Sequence, residues 1–248
     1  MQVTYPTHHR WQRSISDDPL AHLSTRTAGK IRTALKELVK NGVHYDILPL
    51  SEAFLDLFLP LYTEHIGRKS NGVIHDVFEN TLGKEASSFP YYAFSLYENG
   101  EFIGGTIFSL RPDRLSFAYR MFLPRWKQAD LKISPAYIGE FATAEFALQH
   151  GLSIISHGRD RNPYGQNASI GLATFKLSAG CNAYVSSGCE IKVLDTDSVN
   201  TDILILTAPL SGNQITKAYL VTSRENLMKY IQVTKYPNQL AVEVLYRD

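Results

Sequence analysis

A cluster of ionisable side chains follows an apolar run in the second half of the chain. Residues 152–155 are apolar and predict a buried strand, and His157, Arg159 and Asp160 come directly after it. The end of a buried strand is where α/β proteins place reactive groups. Histidine titrates near neutral pH, and arginine binds carboxylates and phosphates through paired hydrogen bonds. The same residues also suit a simple turn held by an Arg–Asp ion pair.

A lysine returns toward this cluster one helix later. Turn-forming residues follow Asp160, and a helix is predicted from Asn167 to a C-cap at Gly180, with Lys176 near its end. A lysine ammonium can stabilise an oxyanion or protonate a leaving group, and it becomes a base only when its pKa is depressed. The alternative is that Lys176 is a surface lysine without a chemical role.

The elements that position these residues alternate between helices and short strands. Apolar residues at spacings of three and four predict helices, whereas alternation and short apolar runs predict strands. Helices are predicted from Ser24 or Thr25 to about Asn41, from an N-cap at Ser51, weakly over 73–82, over 135–150 and near 224–230. Strands are predicted at 43–48, 91–97, 102–110, 115–122, 152–155, 183–193, 202–208 and 241–246. The Gly104-Gly105 pair either admits a close approach to the backbone or marks a bulge. The segments beyond residue 217 either complete the sheet or form the surface of a homodimer.

Length and composition limit the class of protein. The 248 residues are 44% hydrophobic, enough for one large or two small domains, and we expect an N-terminal arm at 1–23 and a single domain at 24–248. A net charge of +1 excludes a surface built wholly for nucleic acid. With no signal-peptide pattern and no long apolar run, we expect a cytoplasmic protein without a membrane span. Cys181 and Cys189 are expected to be reduced thiols, and a bridge between neighbouring strands is the alternative.

Two short motifs resemble those of the GNAT superfamily of acyltransferases, in the branch of the peptidoglycan-bridge (FemABX-like) aminoacyltransferases. That branch ends its penultimate core strand in an aromatic-aspartate-aromatic-Gly-Arg-Ser-like turn and carries Phe-Lys in the next helix. Gly158-Arg159 and Phe175-Lys176 match these pairs, whereas the acid before the glycine is absent. The resemblance spans most of residues 24–207. It implies a GNAT-like α/β (α+β) fold with a mixed, mostly antiparallel, twisted central sheet flanked by helices and extended by C-terminal strands.

The resemblance also implies a donor-binding loop between the third central strand and the next helix. Members that use acetyl-CoA hold its pyrophosphate there on the backbone amides of a glycine-rich loop. Residues 123–133 contain no glycine, and the helix that follows has a predicted N-cap at Ser134 with Pro135 at its first position. Side chains therefore replace amides as the predicted contacts for donor phosphates, and the candidates are Arg125, Lys127 and Lys132.

The resemblance and the usual pKa values of the side chains suggest roles for the remaining candidates. Aligning the superfamily's glycine on Gly180 puts Lys176 where a tyrosine usually protonates the leaving group, so Lys176 is the predicted oxyanion or leaving-group donor. The predicted base is His157, because its usual pKa lies nearest to ambient pH. Further candidates for the base are Glu140, Asp160 and Tyr119, and a water relay is another alternative. Contacts with the substrate are predicted for Arg159, Asp160, His65, Arg68 and Arg120. No metal site is predicted.

Three functions are compatible with these features. The preferred one is an N-acyltransferase that moves an acyl group from a thioester, on coenzyme A or an acyl carrier protein, to the primary amine of an amino acid, peptide or other small acceptor. The second is an aminoacyl-tRNA-dependent transferase, favoured by Phe175-Lys176, by the missing pyrophosphate loop and by basic residues between Arg26 and Lys40. The third is a related fold that binds an acyl or nucleotide ligand without catalysis.

Overall fold

The computed structural model describes residues 2–68, 73–84, 86, 88–161, 170–186, 191–196 and 199–247. These residues form two compact units. The central unit comprises residues 15–155, and the terminal unit comprises the described residues of 1–14 and 156–248. Each unit contains its own clusters of buried apolar side chains.

Strands and helices follow one another along the described chain. The strands are β1 (Gln2–Pro6), β2 (His8–Ser14), β3 (Val43–Pro49), β4 (Tyr91–Glu98), β5 (Glu101–Arg111), β6 (Arg114–Phe122), β7 (Ile154–Arg161), β8 (Asn182–Val185), β9 (Ile191–Asp195), β10 (Ile203–Leu206), β11 (Gln214–Ile215), β12 (Lys217–Thr222) and β13 (Ala241–Tyr246). The α-helices are α1 (Thr25–Glu37), α2 (Glu52–Gly67), α3 (Val77–Thr81), α4 (Pro135–Gln149), α5 (Ile170–Ser178) and α6 (Leu227–Tyr230). Short 3-10 helices span Val39–Asn41 and Ile231–Lys235.

The central unit is built on an antiparallel meander in the order β6-β5-β4-β3. Asn99 and Gly100 connect β4 to β5 with positive φ angles of 49° and 82°, as the favoured two-residue hairpin turn requires. The register between β4 and β5 shifts between Leu96 and Tyr97, which confirms the bulge predicted near Gly104-Gly105. A Cβ at Gly105 would lie 2.9 Å from the Phe54 ring, so the glycine lets α2 pack closely on the sheet.

The helices of the central unit begin at polar caps and bury one face. Ser24 caps α1 and Ser51 caps α2, each accepting a hydrogen bond from the backbone amide three residues on. The predicted N-cap position at Ser134, with Pro135 at the start of α4, is confirmed, although the Ser134 side chain makes no capping hydrogen bond and only its carbonyl accepts, from Tyr137 N. None of the described helices is long and apolar enough to cross a membrane.

The terminal unit joins both ends of the described chain. One of its sheets has the order β11-β8-β2-β7, a second has the order β10-β12-β13, and β1 pairs with β9. Residues 2–14, within the predicted N-terminal arm, form strands β1 and β2, whose residues largely alternate between buried and less buried positions. The predicted strand 183–193 is two strands, β8 and β9, separated by residues that include positions 187–190 outside the described part. Strand β12 pairs with β10 on one side and with β13 on the other, so these C-terminal strands form a separate three-stranded sheet, and the predicted dimer surface stays a prediction.

Together the two units confirm the predicted fold class. The architecture is mixed α/β, its sheets are mostly antiparallel and flanked by helices, and extra strands lie toward the C-terminus.

Candidate active site

The predicted polar loop after Ile155 is a continuation of the strand. β7 extends to Arg161, so His157, Arg159 and Asp160 lie within it rather than beyond its end. Within this strand His157 is buried, Asp160 is half-buried and Arg159 is exposed. Gly158 adopts a φ of +84°, a conformation that favours glycine and that interrupts the regular alternation of side chains.

Helix α5 brings Lys176 to Asp160. Its predicted first residues, 167–169, lie outside the described part of the chain, and its C-cap at Gly180 is confirmed by a φ of +83°. Lys176 Nζ donates a hydrogen bond to Asp160 Oδ2 at 2.6 Å, with side-chain exposures of 5% and 17%. The surface-lysine alternative is therefore wrong, and the ion pair of Asp160 joins it to Lys176 rather than to its neighbour in the sequence.

Strand β2 supplies two residues of this site that the sequence analysis missed. Trp11 is fully buried, and its ring centroid lies 6.0 Å from Lys176 Nζ. His9 is also fully buried, and its Nε2 lies 4.0 Å from Asp160 Oδ2. The structure buries every second residue of β2, His9, Trp11 and Arg13, but two of these are polar, so only Trp11 pointed to a buried strand in the sequence.

The electrostatics of the site keep His9 neutral. Loss of solvation on burial lowers the pKa of His9 to about 4, against the opposing attraction of Asp160. The Lys176 ammonium lowers that pKa further. Among the described residues, Lys176 donates a hydrogen bond only to Asp160, and an ammonium has three donors. Two of its N–H groups are therefore available to a ligand oxygen.

Three predicted residues lie in the central unit, and two of them contact each other. Arg120 on β6 donates a hydrogen bond to Glu140 on α4 in a largely buried ion pair, and the guanidinium also lies 4.8 Å from the Phe117 ring. Tyr119 packs edge-on against Tyr62 at 5.8 Å. Burial raises the pKa of Tyr119, with a smaller contribution from Tyr62. Tyr119 is therefore a hydrogen-bond donor rather than a base near neutral pH.

The two candidates at the end of α2 face solvent. Arg68 follows the helix and forms an ion pair with Glu64, with a side-chain exposure of 77%. His65 lies in the last turn of α2 and is exposed. Both are accessible to a ligand, and both lie apart from the buried face of α2 formed by Phe54, Leu55, Phe58 and Tyr62.

Backbone amides of the loop between β6 and α4 bind a carboxylate side chain of the same protein. The carboxylate of Glu98, at the end of β4, accepts hydrogen bonds from the backbone amides of Lys127, Gln128 and Ala129. Burial by itself raises the pKa of Glu98, but these amides outweigh it and hold the pKa below its usual range. Three consecutive amides that would suit a phosphate are thus satisfied internally. The Lys127 side chain pairs with Glu101.

A cleft of about 370 Å³ lies beside this loop, at the start of α4. Trp126, Leu131 and Ile133 contribute to its walls, and Trp126 Nε1 donates to the Ile133 carbonyl at 2.6 Å. Arg125 and Lys132 also line the cleft, and Lys132 pairs with Asp130 at the surface. The cleft therefore combines an apolar wall with two exposed cations.

Similar folds occur among solved structures, although no protein-family model and no curated protein matches the chain. The crystal structure of FemX superimposes with a TM-score of 0.53 at 13% identity, covering 75% of this chain and 61% of that one. The fold resembles that of FemX. The structure of L-PGS from Bacillus licheniformis gives a TM-score of 0.44 at 16% identity and covers 71% and 54% of the two chains. An aminoglycoside acetyltransferase from an uncultured soil metagenomic sample gives 0.33 at 13% identity, over 46% and 76%.

At 13% identity, the likeness to FemX concerns the fold alone. The chain spans 61% of the length of FemX and 54% of the length of L-PGS.

Proposed function

We propose that the protein is an acyltransferase that forms an amide bond between an activated acyl group and a primary amine. The buried Lys176–Asp160 pair carries this proposal, because its ammonium keeps two N–H donors for an oxygen that becomes negative during the reaction. The FemX-like fold supports the same class of chemistry by analogy.

The residues of β2, β7 and α5 have separate tasks in this reaction. Lys176 stabilises the oxyanion of the tetrahedral intermediate and then gives a proton to the leaving group. Asp160 accepts a hydrogen bond from the ammonium and holds it in place. Trp11 packs near the ammonium and limits its movement.

The proposed donor is an acyl thioester on coenzyme A or on an acyl carrier protein. Arg125 and Lys132 are the proposed contacts for its phosphate, because they line the cleft and project from a loop whose neighbouring amides are occupied by Glu98. The proposed acceptor is an amino acid, a peptide or another small amine.

One observation favours an aminoacyl-tRNA donor as the second candidate. The amides of residues 127–129 are not free to bind a diphosphate, whereas helix α1 exposes Arg26, Lys30 and Lys36 to solvent. Such a surface suits the regularly spaced phosphates of a nucleic acid.

Thermal unfolding with candidate donors distinguishes these possibilities. A ligand at about 100 times its dissociation constant stabilises the folded state by about 2.7 kcal/mol. We expect stabilisation by coenzyme A, a short acyl-CoA or a long acyl-CoA, and the order of the three reports the preferred chain length. If none of them raises the Tm but charged tRNA does, the second candidate replaces the first.

Transfer itself is tested with Lys176→Gln. Removing one oxyanion donor lowers kcat by about 10² to 10³, and we expect donor binding to be unchanged. The matched control is Lys217→Gln, which removes an exposed lysine paired with Glu243 at 3.0 Å in the same unit. Ligand binding without transfer by the native protein would support the non-catalytic alternative. Equal kcat for Lys176→Gln and the native protein would refute the assignment of Lys176.

A further inference from the structure

Strand β2 places two buried side chains with unpaired polar atoms beside the Lys176–Asp160 pair. His9 and Trp11 are two residues apart and share one face of the strand. Within the described part of the chain, both ring nitrogens of His9 and Nε1 of Trp11 have no hydrogen-bond partner. Buried polar groups of native proteins are nearly always paired, so unpaired ones next to a reactive lysine indicate a place for a ligand group.

The distances at this place fit a nitrogen atom. His9 Nε2 and Asp160 Oδ2 are 4.0 Å apart, too far for a hydrogen bond between them. A nitrogen about 2.9 Å from each would see them at an angle of about 90°, which two N–H bonds of one amine can approach. Asp160 accepts as a carboxylate, and a neutral His9 with its proton on Nδ1 accepts at Nε2.

The surroundings of His9 favour the neutral ring that this arrangement needs. Burial lowers the pKa of His9 to about 4, and the charged groups that act on it are Asp160, Lys176 and His8. His9 Nε2 and Asp160 each accept one hydrogen bond, so a neutral primary amine can donate both of its N–H groups and keep its lone pair free for attack. Of the two groups, His9 is fully buried and Asp160 reaches solvent with 17% of its side chain.

We propose that His9 and Asp160 form the subsite that binds the attacking primary amine, with His9 as its proton acceptor. The proposal rests on the proposed transferase function and names the binding place of its acceptor. The nitrogen lone pair forms a bond to the acyl carbon, and the carbonyl electron pair moves onto the oxygen held by Lys176. The electron pair on the oxygen then re-forms the carbonyl as the bond from the acyl carbon to the leaving group breaks, and the leaving group takes one proton from Lys176. The nitrogen gives one proton to His9 Nε2.

The proton balance closes within the cluster. Once Lys176 has lost its proton, the positive charge that opposed protonation of His9 is gone, while the attraction of Asp160 remains. The proton on His9 then returns to Lys176 by way of Asp160, which lies between them at 4.0 Å and 2.6 Å. The net change is one proton moved from the amine to the leaving group.

Binding of an amine is tested first without any donor. The full chain is labelled with ¹⁵N in its histidine rings and titrated with hydroxylamine, a small nucleophile that is uncharged at neutral pH. We expect a saturable shift of the His9 Nε2 signal, weakened by Asp160→Asn, with the His8 signals unmoved. A His9 signal that does not respond overturns the subsite. Because no donor is present, failure of the transferase proposal alone would leave the shift in place.

Kinetics then separates binding from a structural role. His9→Phe keeps the ring and removes its nitrogens, so we expect about a tenfold higher KM for the amine and an unchanged KM for the donor. We expect the Tm to stay level or rise, because two unpaired buried nitrogens are removed. His9→Gln restores a neutral acceptor and should recover part of the loss. His8→Phe, on the other face of β2, is the matched control. A lower Tm with both KM values raised would mark His9 as structural and overturn the proposal.

Discussion

At the scale of single residues, burying the Lys176–Asp160 ion pair costs desolvation free energy, and the proposed chemistry explains why the pair is buried. Both charges leave water on folding, and such a pair contributes little net stability compared with apolar residues of similar size. What the pair provides is a charged ammonium in an apolar setting, next to Trp11 and Leu177. Interactions with a developing negative charge are stronger there than in water.

This balance gives a testable asymmetry between single and double substitutions. Asp160→Asn leaves the Lys176 ammonium buried without its counter-ion, so we expect a loss of about 3 kcal/mol in the free energy of unfolding. Asp160→Asn combined with Lys176→Met removes both charges and should recover most of that loss. Urea denaturation of the native protein, both single variants and the double variant measures the coupling. Strict additivity of the two single effects would show that the residues do not interact.

At the scale of elements, Glu98 fastens the hairpin of β4 and β5 to the loop before α4. Its carboxylate accepts three backbone amides, the Asn99 side chain donates to the Gln128 side chain at 2.9 Å, and Lys127 pairs with Glu101. The cleft lined by Arg125 and Lys132 takes its shape from the same loop. The hairpin therefore supports the loop that shapes the cleft, although no residue of the hairpin lines the cleft.

Glu98→Gln should destabilise the central unit by about 2 kcal/mol at neutral pH, since hydrogen bonds to a charged acceptor are lost. The pKa of Glu98 is lowered in the folded state, so its contribution is complete above the unfolded pKa of about 4.3 and disappears as the pH falls through the folded pKa. The difference between the native protein and Glu98→Gln should thus narrow below about pH 4.

The matched control for Glu98 is Glu101→Gln. It removes the same charge three residues further along the chain, from an exposed ion pair with Lys127. We expect it to change stability by less than about 0.5 kcal/mol at every pH. Denaturant unfolding followed at several pH values compares the three proteins. A pH-independent difference between the native protein and Glu98→Gln would contradict the role assigned to the carboxylate.

The same elements show what the sequence could and could not predict. Strong periodicity and turn signals identified α2, the Asn99-Gly100 hairpin and β4 to β6, because these depend on local chemistry. Strand β2 was missed because two of its three buried positions, His9 and Arg13, carry polar side chains, which breaks the usual alternation of apolar and polar residues. The pairing of Lys176 with Asp160 follows from the packing of α5 on β7, sixteen residues apart in the chain, and no local signal specifies it.

At the scale of the whole molecule, the residues predicted to act together divide between the two units. His157, Arg159, Asp160 and Lys176 belong to the terminal unit, and the predicted residues between His65 and Glu140 belong to the central unit. The first strands of the chain belong with its second half, so β2 reaches the candidate active site from a distant part of the sequence. A fusion or truncation that disturbs β2 should therefore change the surroundings of Lys176, because Trp11 of β2 packs near its ammonium.

The distribution of charge predicts a different salt dependence for each of the two proposed donor classes. The net charge is only +1, so any attraction for tRNA has to come from a local surface such as Arg26, Lys30 and Lys36 on α1, with Lys40 in the following turn. Each phosphate contact contributes about −0.7 to −0.9 to the slope of log affinity against log salt. Four contacts would weaken tRNA binding about 100-fold between about 50 and about 200 mM salt.

For the proposed thioester donor we expect kcat/KM to fall by about threefold to tenfold over the same range, since one or two phosphates are proposed to meet the cleft. The variant Lys30→Gln with Lys36→Gln should leave thioester transfer unchanged, whereas for a tRNA donor it should reduce the salt slope by about two. The measurement is the rate of amide formation with each donor at a series of salt concentrations, for the native protein and the double variant. A steep slope that this variant flattens would assign the donor to tRNA and place it on α1.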